Sequence, residues 1–309
     1  MRRRATGPGA PGAPGAKAAA PAPGASAAAL AMTVGTAVIA PLAAELAGVL
    51  AATSARRVTR VGHGRHAWIG RLAGQDVALM ATGDGPAAAA GLEALLAAMR
   101  PRRLLVVGVA GGLTPGLAEG TLVAARRVVD AGGRRVPQDP DASWLHAALA
   151  GGAVAGTAVS TDQILADPAA RQAVLRQALA ADDLAAATVD LESAAYARVA
   201  AAWALPYLVV RAVLDPAEEV LPLDFEACRD ASGRISNARV VLRALSRPRS
   251  LGQLWRLRAR VRAGAARLGE LARRLVAATP ASGAAAEVSE VSEVTEVRGV
   301  TTVAARRTA

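Results

Sequence analysis

The sequence predicts an α/β protein whose mostly parallel sheet is covered by helices on both faces. Short, strongly apolar stretches alternate along the chain with alanine- and leucine-rich stretches of helical length. Apolar residues make up 53% of the 309 residues, which is enough for a sizeable core. Aromatic residues contribute only 2%, so aliphatic side chains and alanine must fill that core.

The individual elements follow in order from this alternation. We predict buried strands at residues 33–40, 102–110, 120–130 and 207–213, two strands around the Gly74 turn within 66–82, and a short strand that ends at Val189. We predict helices from Pro41 to Leu50, at 85–99, at 171–178 and from Ser193 to Ala202.

The composition divides the chain into four segments. Residues 1–31 are Pro/Gly/Ala-rich and 281–309 repeat a Glu-Val-Ser/Thr pattern, so we expect two disordered tails. Between them we expect a folded domain at 32–235 and a basic helical segment at 236–280. The sequence leaves open whether Met1 or Met32 is the true start.

The positive charge is concentrated in one segment. Residues 236–280 hold 11 basic residues and one acidic residue, whereas 32–235 hold 18 and 20. A domain-wide nucleic-acid surface is therefore not expected. The single cysteine, Cys228, excludes an internal disulfide framework, and neither a signal peptide nor a membrane-spanning run is evident. We expect a cytoplasmic protein.

Three carboxylic acids stand where apolar runs end. Asp215 directly follows "YLVVRAVL", while Asp190 and Glu192 follow a short strand and open a helix. Ligands of open α/β sheets bind at the carboxyl ends of the strands, so all three are candidate site residues. Helix capping by Asp190, with Glu192 at the positive helix end, is the alternative.

A glycine-rich stretch, "VVGVAGGLTPGL" at 106–117, follows another buried strand. It has neither the G-x-G-x-x-G order nor the lysine of a phosphate-binding loop. Its closely spaced glycines allow either a close approach of the backbone to a ligand or a tight turn without one.

Four motifs occur in a fixed order: "VVGVAGGLTPGLAEGTLV", "STDQIL", "VDLESAAYARVA" and "VVRAVLDPAEEVLP". Together they resemble the nucleoside phosphorylase and nucleosidase superfamily over roughly residues 33–225. The sequence is most similar to the methylthioadenosine/S-adenosylhomocysteine nucleosidase branch. Within it, "VDLES", "RAVLDPAEEVLP" and the basic C-terminal extension are similar to the hopanoid-associated phosphorylases. The resemblance implies a single-domain three-layer αβα sandwich with a mixed, mostly parallel central sheet.

The resemblance also implies roles for the acids. Glu192 would hold the ribose hydroxyls, with Leu191 packing against the sugar. Asp215 would be the general acid that protonates N7 of the leaving purine, and Glu45 would orient the attacking water. Cleavage of a ribosyl C–N bond builds positive charge on the sugar and negative charge on the base, which suits carboxyl groups in these places.

The same resemblance places Ala110 and Gly111 along the base and ribose pocket. Ile164 stands where a base-stacking phenylalanine is common, so it is the expected base contact here. Val109 and Leu214 each replace a serine, which removes two hydroxyl groups. We interpret these departures as marks of a branch with a different 5′ substituent.

Water and phosphate remain alternative nucleophiles. Arg56, Arg57 and Arg65 could bind phosphate as a co-substrate, or they could be solvated surface charges. Glu45 favours hydrolysis. No cofactor is implied, and no metal site is expected because the three histidines lack metal-ligand spacing with acids or Cys228.

The basic segment contains an amphipathic pattern from Ser250 to Ala278. Arginines occupy much of the face opposite an apolar stripe, and Trp255 lies near the boundary. Three alternatives stay open: a helix on an anionic membrane surface, a helix docked on the protein body, and, more weakly, nucleic-acid binding. The apolar stripe consists of Leu254, Leu257, Val261, Leu268, Leu271 and Leu275.

The resemblance implies cleavage of a 5′-substituted adenosine to release adenine, with adenosylhopane as the substrate of the hopanoid-associated branch. A lipid-linked nucleoside would place the protein at the inner membrane face as a peripheral protein. The alternatives are a methylthioadenosine/S-adenosylhomocysteine nucleosidase and a non-catalytic ligand-binding or membrane-surface protein. Relatives imply a homo-oligomer.

Overall fold

The structure, a computed structural model, describes residues 32–62, 64–85, 87–179, 186–221, 226–228 and 248–279. The two expected tails, 1–31 and 281–309, lie outside the described residues. Within the described residues, strands and helices alternate as the sequence predicts. The strands are β1 (Thr36–Ala40), β2 (Ser54–Val61), β3 (Arg65–Leu72), β4 (Gln75–Ala81), β5 (Arg103–Gly112), β6 (Leu122–Asp130), β7 (Val154–Ser160), β8 (Ala187–Asp190) and β9 (Tyr207–Asp215).

The helices are α1 (Ala43–Ala52), α2 (Ala87–Met99), α3 (Ala142–Ala150), α4 (Pro168–Ala178), α5 (Ser193–Ala202) and α6 (Pro248–Ala277), with a short 3₁₀ helix at Glu226–Cys228. None of the described helices is long and apolar enough to cross a membrane. Three elements, β2, α3 and β7, are absent from the sequence prediction.

The strands form one mixed sheet in the order β2-β3-β4-β1-β5-β8-β7-β6-β9. Strand β5 also pairs with β9, so β5, β8, β7, β6 and β9 close into a ring. Among the described strands, five pairings are parallel and four antiparallel. This confirms the mixed, mostly parallel sheet.

Helices cover both faces of the sheet, which confirms the three-layer architecture. On one face α2 and α5 contribute to a core cluster that includes Leu92, Leu95 and Tyr196. On the other face α1, α3 and α6 contribute to a second cluster that includes Leu46 and Trp144. Both clusters consist mainly of aliphatic side chains, as the low aromatic content requires.

The C-terminal helix α6 is docked on the body along its second half. Leu268, Leu271 and Leu275 are buried in the second core cluster. The backbone of α6 also lies against α1, because a Cβ atom placed on Gly269 would be 2.4 Å from the carbonyl carbon of Gly48. The membrane alternative is therefore confined to the part of α6 before Gly264.

Candidate active site

The candidate site lies where the ends of β5, β8 and β9 meet. Gly111 of β5 pairs with Val189 of β8 and with Asp215 of β9, so Asp190 and Asp215 lie on either side of the same glycine-rich strand end. Ala110 is the neighbouring β5 residue and pairs with Val213. The first part of the glycine-rich stretch, up to Gly112, is thus strand, and Gly111 lines the site.

Glu45 lies in the first turn of α1, which follows β1 almost directly. Its carboxylate oxygen Oε2 accepts a hydrogen bond of 3.3 Å from the backbone N–H of Leu42, as an acid at a helix N-terminus can. The residue is only 5% exposed. Burial raises the pKa of Glu45 from its usual 4.5 to about 8, although the nearby Arg211 cation opposes the shift.

Asp190 is the centre of a buried hydrogen-bond network. Its Oδ1 atom accepts from Ser160 Oγ at 2.9 Å and from the backbone N–H groups of Glu192 at 3.1 Å and Ser193 at 2.9 Å. Its Oδ2 atom lies 2.8 Å from Arg211 Nε. Asp190 therefore caps helix α5, which confirms the capping alternative for this residue, and it is also the counter-ion of Arg211.

Arg211 extends from the apolar strand β9 towards Glu45. Its Nη2 atom donates to Ser193 Oγ at 2.9 Å, whereas Nη1 is buried without a hydrogen-bond partner among the described residues. A Cβ atom on Gly108 would lie 2.0 Å from this Nη1 atom and 3.2 Å from Glu45 Oε2. Glycine at 108 is what allows both charged groups to approach the same point of β5.

Glu192 is also within electrostatic reach of Arg211. Its Oε1 atom accepts a 2.9 Å hydrogen bond from the backbone N–H of Gly85, in the loop that leads into α2. Burial and the neighbouring Asp190 carboxylate raise the pKa of Glu192 to about 7, and Arg211 again opposes the shift. Glu45 and Glu192 thus share one arginine, and the Glu192 carboxylate contributes to the raised pKa of Glu45.

Asp215 lines a separate cavity of about 80 Å³ together with Gly111, Ile164 and Leu191. It is 3% exposed and forms a buried ion pair with Arg171 of α4. Burial raises the pKa of Asp215 above its usual value, while the Arg171 cation opposes this effect. Four of the site residues that the family resemblance implies therefore line one cavity.

The structure separates the predicted residues into two adjoining groups. Glu45 and Glu192 meet at Arg211, near Gly108, whereas Asp215 lies near Gly111. The two glycines are three positions apart on an extended strand, which corresponds to roughly 10 Å between their backbones. Asp190 joins the groups because it bonds to Arg211 and also lines the Asp215 cavity.

The three candidate phosphate-binding arginines differ in their distance from the site. Arg56 and Arg57 are exposed on the edge strand β2, where they bond to the Leu50 carbonyl and the Met32 sulfur. Arg65 instead donates to the carbonyl of Thr82, in the loop that reaches Glu192. Of the three, only Arg65 lies beside the site.

Sequence reasoning missed Arg211, Arg171 and Gly108 as site residues. For Arg211 a signal exists, because a lone arginine in "YLVVRAV" breaks a fully apolar strand and requires a buried counter-ion. A larger cavity of about 990 Å³ lies beyond Ser160 and is lined by Asp130, Arg134, Arg198 and other charged residues. No group of three or more metal-ligating residues occurs in the described part of the chain.

Comparison with solved structures shows the same fold in bacterial nucleosidases. S-adenosylhomocysteine nucleosidase of Streptococcus pyogenes, in complex with 5-methylthiotubericidin, is 19% identical and matches with a TM-score of 0.60 over 82% of this chain and 100% of its own. The 5′-methylthioadenosine/S-adenosylhomocysteine nucleosidase of Neisseria meningitidis, in complex with methylthio-immucillin-A, is 20% identical, with a TM-score of 0.60 over 80% and 99%.

A third such nucleosidase, that of Colwellia psychrerythraea in complex with adenine, is 19% identical and matches with a TM-score of 0.58 over 79% of this chain and 94% of its own. No curated protein matches the chain at a significant level. The family model of the phosphorylase superfamily matches residues 35–246, which is more than half of the chain and includes every candidate site residue. The chain therefore belongs to the phosphorylase superfamily, whose enzymes cleave N-glycosyl bonds.

Proposed function

We propose that this protein hydrolyses the N-glycosidic bond of a 5′-substituted adenosine and releases adenine. The observation that carries the proposal is the pair of adjoining sites on β5. One holds two buried carboxyl groups and an arginine, and the other holds a buried aspartic acid in a cavity beside it. The glycines that mark the two sites, Gly108 and Gly111, lie roughly 10 Å apart along β5, and we assign the ribose to the first site and the purine to the second.

The reaction follows from these groups. Glu45 accepts a proton from a water molecule as the water oxygen bonds to C1′ of the ribose. The C1′–N9 bond breaks, its electron pair passes to the purine, and Asp215 donates its proton to N7. Glu192 binds the ribose hydroxyls and stabilises the positive charge that develops on the sugar. General-base catalysis requires the ionised form of Glu45, and a pKa of about 8 means that this form becomes the major one only above about pH 8.

The test is adenine release by the parent protein and by two acid variants. We expect Glu45→Gln and Asp215→Asn to lose at least about 10²-fold in kcat, because each removes a proton-transfer group. Glu93→Gln on the exposed face of α2 and Asp76→Asn in an exposed ion pair are matched controls that should keep parental activity. Undiminished turnover by Asp215→Asn would remove the assigned acid.

Omitting and adding inorganic phosphate distinguishes the two nucleophiles. Hydrolysis predicts the same adenine release in both cases and the 5′-substituted ribose, without a 1-phosphate, as the sugar product. An absolute phosphate requirement would instead assign a phosphorylase, with Arg65 as the cation beside the site.

For the 5′ substituent we propose a large apolar group, as in adenosylhopane. This rests on the similarity of "VDLES", "RAVLDPAEEVLP" and the basic helix to the hopanoid-associated phosphorylases. The 990 Å³ cavity does not suit such a group, because charged side chains line it. Turnover of adenosylhopane in detergent micelles should exceed that of methylthioadenosine and S-adenosylhomocysteine. The reverse order would assign a methylthioadenosine/S-adenosylhomocysteine nucleosidase, and no adenine release from any of them would favour a non-catalytic protein.

We also propose that the first half of α6 contacts an anionic membrane surface. Trp255 is 68% exposed there, Arg258 lies over its ring, and Arg256 and Arg262 are exposed as well. Each basic residue near an anionic bilayer contributes about 1 kcal/mol to binding. Val220, in the loop after β9, is a further exposed apolar residue near this part of the helix.

Sedimentation with phosphatidylglycerol vesicles tests this contact. The combined change Arg256→Glu, Arg258→Glu and Arg262→Glu should abolish binding, whereas Arg273→Glu, an exposed arginine in the docked half of α6, should have a smaller effect. Equal binding by the parent and the triple variant would contradict the proposal. Equal binding of the parent to phosphatidylcholine vesicles would contradict the electrostatic attraction.

A further inference from the structure

Arg171 of α4 occupies the wall of the Asp215 cavity, although no motif in the sequence singles it out. The helix that carries it begins with an N-capping aspartate, Asp167, whose Oδ1 atom accepts from the backbone N–H of Ala170 at 2.9 Å, and with a proline at its first position. This start directs Arg171 inward, where only 1% of the residue is exposed. Burial of an arginine without partners would cost free energy of folding, so its contacts are needed to compensate for that cost.

The guanidinium group binds three different parts of the site. Its Nε atom donates to the carbonyl of Leu165 at 3.0 Å, Nη1 donates to the carbonyl of Pro216 at 2.6 Å, and Nη2 donates to Asp215 Oδ2. The first contact holds the segment that carries Ile164, and the other two hold the end of β9. Arginine suits this place because its donors lie in a rigid plane, whereas the lysine ammonium is a single point.

We propose that Arg171 is a positioning residue of the purine cavity, which fixes the Asp215 carboxyl group and the Ile164 segment through its three contacts. This inference rests on the proposed function, in which Asp215 is the proton donor. Burial alone would leave Asp215 a weak acid, and the adjacent cation makes its proton easier to transfer to the purine. The cation also favours the negative charge that builds on the leaving base.

Two other charged residues near Asp215 have weaker and opposite effects on its pKa. Glu219 raises the pKa of Asp215 from the loop after β9, and Arg260 lowers it from α6. These two side chains bind each other, with Arg260 Nη1 2.7 Å from Glu219 Oε1, so their effects on Asp215 oppose one another. Asp190 lines the same cavity and is neutralised by Arg211. Arg171 is therefore the cation whose removal should change Asp215 most.

The test titrates Asp215 directly in the full-length protein. Its ¹³C-labelled carboxyl signal is identified by its loss in Asp215→Asn and followed against pH. We expect Arg171→Met to raise the Asp215 pKa by about 1–3 units, because it removes the adjacent opposite charge. Arg171→Lys keeps the charge and should leave the titration within about half a unit, but it cannot make all three contacts. We therefore expect Arg171→Lys to raise the KM for the nucleoside and the Kd for adenine about tenfold or more.

The outcomes separate the alternatives. An unchanged Asp215 titration in folded Arg171→Met would overturn the inference, because a purely structural role does not move that pKa. If Arg171→Met does not fold, Arg171→Lys decides, and a parental Kd for adenine in that variant would also overturn it. Failure of the proposed function is seen separately as absence of adenine release by the parent protein. In that case the titration and adenine calorimetry still test the role of Arg171.

Discussion

At the residue scale, the site depends on keeping several ionisable groups out of water. Four of its charged residues are buried, namely Glu45, Glu192, Asp190 and Arg211. Arg211 forms an ion pair with Asp190 and influences the pKa of both glutamates. Three carboxyl groups around one guanidinium cannot all be ionised cheaply, because one cation balances one anion. Asp190 forms the direct ion pair with Arg211, and the pKa values of the other two rise instead. The site thus holds protons at neutral pH that the unfolded chain would release.

This proton uptake makes stability depend on pH. A carboxyl group whose pKa is raised on folding contributes stability that is fully present below its unfolded pKa of about 4.5. That contribution is lost as pH rises through about 7 for Glu192 and about 8 for Glu45. Glu45→Gln keeps a neutral group of the same size, so its free energy of unfolding should fall less between pH 5 and pH 8.5. We expect a difference on the order of 2 kcal/mol, measured by urea unfolding at both pH values.

The matched control is Glu93→Gln on the exposed face of α2, which should follow the pH dependence of the parent. Above about pH 8, Glu45→Gln should be more stable than the parent, although we expect its kcat to be at least about 10²-fold lower. If the free energy of unfolding changed equally with pH in the parent, Glu45→Gln and Glu93→Gln, this would contradict a protonated Glu45.

Individual site residues could be predicted from the sequence only where a motif or a break in pattern marks them. Asp190, Glu192 and Asp215 interrupt apolar runs, and the family resemblance added Glu45. Arg171 gives no such signal, because an arginine every few residues on a helix is usual for a solvated face. Its burial depends on a cavity built from β8, β9 and the segment before α4, and that juxtaposition is not local in sequence.

At the element scale, α1 and α6 pack against each other through their backbones. Gly48 and Gly269 face each other, and a Cβ atom on Gly48 would lie 1.8 Å from the Ala265 carbonyl oxygen. Small residues are required where two helix backbones approach this closely. Helix α1 carries Glu45 in its first turn, so the position of α6 determines the depth at which that carboxyl group is held.

We expect Gly269→Ala to separate the two helices. The added methyl group would meet the Gly48 backbone, which cannot rotate away as a side chain could, so overpacking should cost about 1–3 kcal/mol. The kcat for adenine release should fall as well, because a shift of α1 displaces Glu45, which α1 carries in its first turn.

Thermal melting and adenine release measure the two effects. Gly252→Ala in the same helix is the control, since nothing lies within 4 Å of its Cβ position, and it should be neutral or stabilising. A Gly269→Ala variant that melts with the parent would show that the contact is looser than described.

The strands and helices that the sequence failed to predict share weak local patterns. Strand β2 is an exposed edge strand whose arginines interrupt the apolar alternation on which strand prediction depends. Helix α3 has nine residues and β7 contains a glycine against which Val123 packs, so neither gives a long periodic signal. The long apolar strands β5 and β9 and the helix α6 were predictable, because burial on one or both faces gives them a strong pattern.

At the scale of the whole molecule, α6 connects both halves of the site. Its second half packs on α1, which carries Glu45. In its first half, Arg260 binds Glu119 at 2.7 Å, in the loop after β5, and Glu219 in the loop after Asp215. The pattern of the sequence left open whether this helix docks on the protein body, and its buried leucines belong to the same core as β1, β5 and β9.

The described packing therefore predicts that α6 is required for the domain to fold. Burial of Leu268, Leu271 and Leu275 contributes about 1.5–3 kcal/mol each, which together is comparable with the whole stability of a typical domain. A chain that ends at residue 247 should lack a cooperative thermal transition and release no adenine. A chain that ends at Thr279 keeps all described contacts of α6, including the bond from Trp144 Nε1 to Thr279 Oγ1 at 3.0 Å, and should melt within a few degrees of the parent. Cooperative melting of the shorter chain at the parental temperature would instead assign α6 to a separate surface element.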